Sequence, residues 1–223
     1  MTYVLVFDVN ETLLDLRALD PHFGRIFGDA AVRRQWFGLV LRNALTLTII
    51  GDYHDFVTVG SASLEMVAAS HQVVLSAADR AAVAGTMAAL PPHGDVAPNL
   101  ERLGAAGLRI AALTNSPQDA AETQLANAGI ADAFDTIMSV APAGQFKPAP
   151  AVYQMAADRL GVTTAEMRMV AAHDWDIAGA MRAGCAGAYI TRPSMEINPL
   201  FPPPDIVGPD LTAVTDLILQ QGG

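Results

Sequence analysis

The sequence predicts an α/β fold: a doubly wound parallel sheet, Rossmann-like in its core, with a helical cap inserted after the first strand. Three observations carry this. Short, largely apolar runs rich in β-formers recur along the chain, as strands buried on both faces require. Helical stretches of about ten residues alternate with them, the rhythm of crossover connections in a parallel sheet. Residues 15–91 break that rhythm, being mostly helical with no convincing strand.

In chain order, Tyr3 to Phe7 (YVLVF) reads as the first strand. The insert follows, with helices expected at Ala30 to Leu47, Phe56 to His71 and Ala77 to Ala89, and Pro91-Pro92 closing it. A helix at Asn99 to Ala106 precedes a second apolar run, Leu108 to Leu113. The helix Ala120 to Ala128 ends at Gly129, and a short apolar segment follows at Thr136 to Val140. Pro150 to Leu160 is helical and leads to the run Met167 to Ala171. Ile177 to Ala183 forms a helix closed by Gly184, ahead of Gly187 to Thr191. The Pro-rich tail Pro199 to Pro209 is expected to wrap the surface before a last helix, Leu211 to Gln220. The division expected is a core of residues 1–14 and 92–223 and a cap of residues 15–91.

Composition narrows the function classes. The chain has 223 residues, is 52% hydrophobic and only 16% charged, so it can bury a large core and is not disordered. A net charge of −10 argues against a nucleic-acid footprint, which needs a basic patch. It leaves room for a small anionic substrate, because one or two local cations override the mean field. Cys185 is the single cysteine, so no internal disulfide and no Cys/His metal cluster is expected. The opening apolar run meets Asp8 too soon to be a signal segment or a membrane span, which predicts a cytoplasmic protein with no membrane partner. Apolar positions in the cap (Leu39, Leu41, Leu45, Ile49) could pair across a homodimer or pack on neighbouring cap helices.

In open α/β sheets, ligands bind outside the carboxyl ends of the strands. The informative residues therefore follow the apolar runs: Asp8, then Thr114-Asn115-Ser116, then His173 to Asp176, with Lys147 in the loop beyond the third run. A carboxylate held close to an electrophile and partly desolvated is a competent nucleophile. Lys147 can keep Asp8 ionised and attract an anion. Thr12, Thr114 and Asn115 can donate hydrogen bonds to a carboxylate or phosphate, and Asp176 is the acid best suited to position water. Each feature also has a plain structural reading: Asp8 as a turn residue, Lys147 as surface charge, Thr-Asn-Ser-Pro as a helix start, HDWD as a solvated loop with Trp175 in the core. Their joint occurrence at successive strand ends favours a site.

The segments FDVNETLLD, LTNSP, FKP followed by VY, and VAAHDWDIAGAMRAG resemble the four ordered motifs of the haloacid-dehalogenase superfamily. The chain as a whole is similar to its type II L-2-haloacid dehalogenases, and GDYHDF falls where their cap carries a Tyr-x-x-Phe pattern. The resemblance implies a metal-independent hydrolase with no cofactor, acting on short 2-halocarboxylic acids. Asp8 would attack the halogen-bearing carbon, invert it and form an aspartyl ester, which water would hydrolyse at the Asp8 carbonyl. Lys147 and Thr12 would orient Asp8, while Thr114 and Asn115 would hold the substrate carboxylate. Tyr153 matches a tyrosine near the site, and Asp176 would help hold Lys147 and the hydrolytic water. His173 takes the place of an Asn beside that water, and Phe56 and Trp175 match apolar walls of the pocket.

Some positions depart from the pattern. Phe37 stands where the family has an Arg that helps bind the halide, so the expected halide site is lined by a phenyl ring. Asn10-Glu11 replaces the usual Tyr-Gly, and Ala171 replaces a Ser. Two other readings stay open. A Mg²⁺-dependent phosphatase would need an acid where Asn10 stands and a metal ligand where Ala172 stands. A binding protein without turnover would accommodate Phe37, Asn10 and Ala171.

Overall fold

The computed structural model describes residues 3–193 and 195–221. The first strand, β1 (Val4–Phe7), is buried along its whole length. Four helices follow: α1 (Asp20–Phe27), α2 (Val32–Ile50), α3 (Phe56–Ser70) and α4 (Ala77–Ala88). Then come α5 (Val96–Ala105), β2 (Ile110–Thr114), α6 (Gln118–Asn127), β3 (Thr136–Ser139), α7 (Pro150–Leu160) and β4 (Met167–Ala171). The chain closes with α8 (Asp174–Arg182), β5 (Ala186–Ile190), β6 (Ile206–Gly208) and α9 (Leu211–Gln220).

The strands form one parallel sheet of order β3-β2-β1-β4-β5-β6. Successive strands run outward from β1 in one direction and from β4 in the other, so the order reverses between these two neighbours. A crevice opens at such a reversal, outside the carboxyl ends of the strands. Phe7 lies in register with Ala112 on one side and Val170 on the other, which brings Asp8, Asn115 and His173 to the same edge. The α/β class and the parallel sheet expected from the sequence are therefore observed.

Several elements differ from expectation, each for a local reason. Helix α2 runs on past Leu47 to Ile50, because the first residue that takes a left-handed conformation is Gly51, at φ 75°. Helix α1 was not anticipated; Pro21 at its first turn is the start signal that goes with it. Helix α8 begins at Asp174 rather than Ile177, so within HDWD His173 is the N-cap and Asp174 to Asp176 belong to the first turn. The Pro-rich tail does more than wrap the surface: Ile206 pairs with Ala188, and β6 joins the sheet as a short edge strand. The prolines at 202–204 stop short of the pairing residues and masked that strand in the sequence.

Helices α2 and α3 pack closely, with the Trp36 indole donating to the Gly60 carbonyl at 3.0 Å. Of the cap positions singled out above, Leu39, Leu41 and Leu45 are half-buried, whereas Ile49 is 82% exposed. Among the described residues no helix is long and apolar enough to cross a membrane.

Candidate active site

Asp8 follows β1 directly, and its backbone N–H donates to the Val170 carbonyl on β4 at 3.0 Å. Its side chain is buried, 5% exposed, and every oxygen has a partner. The Thr12 hydroxyl accepts from the Ala172 N–H at 2.9 Å, which leaves its own proton for Asp8 Oδ2 at 2.6 Å. Lys147 reaches Asp8 from the loop between β3 and α7. Its Nζ donates to Asp8 Oδ1 (2.8 Å), Asp176 Oδ2 (2.7 Å) and the Leu113 carbonyl (2.8 Å), which uses all three of its protons. The other oxygen of Asp176, Oδ1, accepts from the Tyr153 hydroxyl at 2.6 Å. The four residues expected to carry catalysis thus meet in one hydrogen-bonded cluster, with Tyr153 beside them.

Two carboxylates share one ammonium, and their environments drive them apart. Burial pushes the Asp8 carboxyl up, but the charge of Lys147 and the hydrogen bond and charge of His173 outweigh it, holding Asp8 well below the usual carboxylate range. Asp176 is completely buried, and that burial together with the Asp8 charge pushes it up in spite of Lys147. Asp8 is therefore the member of the pair that keeps its negative charge most firmly. Burial and the charge of Asp176 raise the Tyr153 phenol well above its ordinary 10, so it stays a donor.

His173 caps the amino end of α8 and completes the shell around Asp8. Its Nδ1 lies 3.0 Å from Asp8 Oδ2 and its Nε2 lies 3.1 Å from Glu11 Oε2. Burial pushes the imidazole down, but the hydrogen bonds and charges of Asp8 and Glu11 raise it to about 10, so it is a cation at neutral pH. The ring stacks on Trp175 at 4.9 Å between centroids, and Phe37 stands 6.3 Å away at a 31° tilt. Aromatic faces on an imidazolium add cation–π stabilisation. Glu11 in turn accepts from Arg33 of α2 at 3.5 Å, and Arg33 also pairs with Asp20 of α1. Carboxylates and cations alternate from Lys147 to Asp20.

The remaining expected residues are also placed. Thr114 ends β2, and its Oγ1 accepts from the Ser116 N–H at 3.2 Å. Asn115 Oδ1 accepts from the Lys147 N–H at 3.0 Å, so what it offers a ligand is Nδ2. Asn10 is tied at both ends of its amide, donating to Ser116 Oγ at 3.3 Å and accepting from Gln124 at 3.4 Å. Phe56 opens α3 and packs on Phe146, the residue before Lys147, at 5.8 Å. Phe37 lines two cavities. One, of about 360 Å³, is walled by Trp36, Phe56, Leu64 and Ser116; the other, of about 450 Å³, by Glu11, Arg33, His173 and Trp175. Among the described residues, no group of three or more His, Cys, Asp or Glu side chains is arranged to hold a metal ion.

Three contributors were not foreseen. Glu11 was visible as a substitution, but only the fold shows that it meets His173. Arg192 donates from Nη2 to the Thr12 carbonyl at 3.0 Å and from Nη1 to Asp95 at 2.7 Å, bracing the Asp8 loop. It stands just beyond β5, so the strand-end rule applied to the fifth strand would have found it. Gly179 lets α8 lie directly on Pro148, where a Cβ would collide with that proline.

The sequence and fold have known counterparts. The chain is 30% identical over 198 residues to the (S)-2-haloacid dehalogenase of Xanthobacter autotrophicus, covering 88% of this chain and 78% of that protein. It is 31% identical over 189 residues to (S)-2-haloacid dehalogenase 1 of Pseudomonas sp. (strain CBS-3), covering 84% and 83%. The structure of the L-2-haloacid dehalogenase from Xanthobacter autotrophicus with chloropropionic acid covalently bound superposes with a TM-score of 0.91 at 27% identity, over 100% of this chain and 99% of that one. The family model for haloacid dehalogenase-like hydrolases matches residues 4–184, and with the parallel sheet and strand-end carboxylate in place the chain belongs to that family of hydrolases.

Proposed function

We propose that this protein is a metal-independent 2-haloacid dehalogenase that works through an ester on Asp8. The observation that carries the reading is the state of Asp8: buried, ionised, and surrounded by Lys147, Thr12 and His173 as donors. Such a carboxylate is desolvated and oriented for in-line attack on the halogen-bearing carbon of a short 2-halocarboxylate. Halide departs, C2 inverts, and water then attacks the Asp8 carbonyl to release the 2-hydroxy acid. Lys147 and Thr12 hold the nucleophile, Tyr153 and Asp176 hold Lys147, and Asn115 Nδ2 is the donor offered to the substrate carboxylate. The covalent chloropropionate complex of the Xanthobacter relative supports the same route. Within this reading, residues 15–91 act as a cap over a core of residues 1–14 and 92–223.

The donor set favours carbon substitution over metal-assisted phosphoryl transfer. Asn10 presents an amide already bonded to Ser116 and Gln124, and Ala172 presents a methyl group. The amide cannot shuttle a proton, and the methyl group cannot ligate Mg²⁺. The experiment is halide release from short 2-haloacids with and without Mg²⁺, beside a phosphate-ester control. Release without metal is expected, and Asp8→Asn should reduce it by about 10⁴-fold or more. In a single turnover run in ¹⁸O-water, the label should appear in Asp8. Mg²⁺-dependent phosphate hydrolysis in place of halide release would overturn the reading.

A further inference from the structure

The second half-reaction needs an acceptor for the proton of the attacking water, and the shell around Asp8 holds few candidates. Thr12 has its oxygen committed to the Ala172 N–H, and Lys147 is a cation with all its protons in use. Asp176 has one oxygen on Lys147 and the other on Tyr153, and it is 0% exposed. His173 differs from all three. It touches Asp8 through Nδ1 and also lines the 450 Å³ cleft through which water can arrive.

We infer that His173, oriented by Glu11, is the general base that hydrolyses the Asp8 ester. This rests on the dehalogenase reading above and deepens it. Glu11 on Nε2 fixes the tautomer: once the ring is neutral, Nε2 keeps its proton and the lone pair of Nδ1 faces Asp8. Phe37 and Trp175 fix the ring plane. The charged groups facing the imidazole are Asp8 from the end of β1, Glu11 from the loop after it, Arg33 from α2 behind Glu11, and Lys147 on the far oxygen of Asp8. Asp174 is the adjoining residue in α8, and Arg34, Arg192 and Glu196 line the cleft beyond.

The reaction itself switches the base on. In the resting enzyme the imidazolium faces the Asp8 carboxylate. When Asp8 attacks, the carbon–halogen bond breaks, the carbon–oxygen bond forms, and the negative charge opposite Nδ1 leaves with the halide. The imidazolium loses its strongest partner and releases a proton to the cleft. Neutral His173 then takes a proton from water as the water oxygen bonds to Asp8 Cγ. The tetrahedral species collapses by breaking the bond between Cγ and the substrate oxygen. The departing alkoxide takes the proton of the new carboxyl group, which restores the Asp8 carboxylate opposite the imidazolium. Overall, haloacid and water give hydroxy acid, halide and one proton.

The test is rapid-quench single turnover with 2-chloropropionate, following halide release for ester formation and intact mass for the Asp8 adduct. In the wild type the adduct should be transient. In His173→Gln it should still form, and its decay should slow by about 10-fold or more beyond any slowing of its formation, so that it accumulates. Glu11→Gln removes the charge behind Nε2 and should move the pH profile of adduct decay to lower pH. Unchanged decay in folded His173→Gln, or equal slowing of both phases, would overturn the base assignment while leaving the dehalogenase reading intact. Should that variant fail to fold, Glu11→Gln decides: an unmoved or flat pH profile of decay rejects the proposal. Absence of halide and adduct in the wild type would instead reject the dehalogenase reading, and this one with it.

Discussion

Lys147 is 1% exposed, and its three bonds hold two carboxylates and a backbone carbonyl together. Removing it would leave Asp8 and Asp176 facing each other without a counter-charge. Lys147→Met should therefore destabilise the fold by about 3–5 kcal/mol, the usual cost of stranding a buried ion, as well as stopping halide release. Urea denaturation of the variant measures this, and a loss within experimental error of zero would show that the cluster relaxes by taking up protons. Asp8, Thr12, Lys147, His173 and Asp176 were legible as candidates because they follow apolar runs, whereas Tyr153 was named only through the family resemblance. Their hydrogen-bond directions were not legible. The sequence pattern gives Asp176 as the acid for water; in the fold its two oxygens are taken by Lys147 and Tyr153, while His173 borders the 450 Å³ cleft. Phe37, expected to line a halide site, packs beside the His173 ring and borders both cavities.

At the level of elements, the loop carrying Lys147 is held from two sides. Phe146 donates its N–H to Thr48 of α2 at 3.0 Å and packs against Tyr53 and Phe56. From below, α8 presses on Pro148 at Gly179, where a Cβ would lie 2.7 Å from the Pro148 carbonyl oxygen. Gly179→Ala must displace either the helix or the loop, and overpacking of this kind costs about 1–3 kcal/mol. Because α8 bears Asp176 and the loop bears Lys147, halide release should fall more than the stability loss alone explains. Paired thermal-melt and initial-rate measurements check this; a variant with wild-type rates would show that the contact is not rigid. Helical periodicity located most of α2 to α9, but it missed α1, where a mid-helix glycine interrupts a short stretch. It also missed β6, because a three-residue strand beside prolines carries no alternation to read.

For the whole molecule, pH dependence follows from the buried charges. His173 is raised from 6.5 to about 10 in the folded state. A base whose folded value lies above its unfolded one stabilises the fold fully below the unfolded value, and that contribution is lost as pH rises through the folded value. Stability should therefore decline between pH 6.5 and 10, and His173→Gln should flatten the decline. Asp8 acts in the opposite sense: its depressed carboxyl contributes above 3.8, and the contribution is lost as pH falls below that. Unfolding midpoints across the alkaline range provide the check, and equal slopes in the two proteins would contradict it.

By itself the sequence determined the parallel α/β class, the helical stretch after the first strand, and the set of polar residues at the strand ends. These are local or periodic properties: apolar runs mark buried strands, and whatever follows a parallel strand emerges at its carboxyl edge. Only the tertiary structure decided which groups face one another. Glu11 and Arg33 are 22 residues apart, and Glu11 and His173 are 162 apart. No spacing rule joins them, since the sheet order and the packing of α2 over its edge set those distances. That is also what changes the reading of His173, from a substituted neighbour of Asp8 to a charged ring held between two carboxylates.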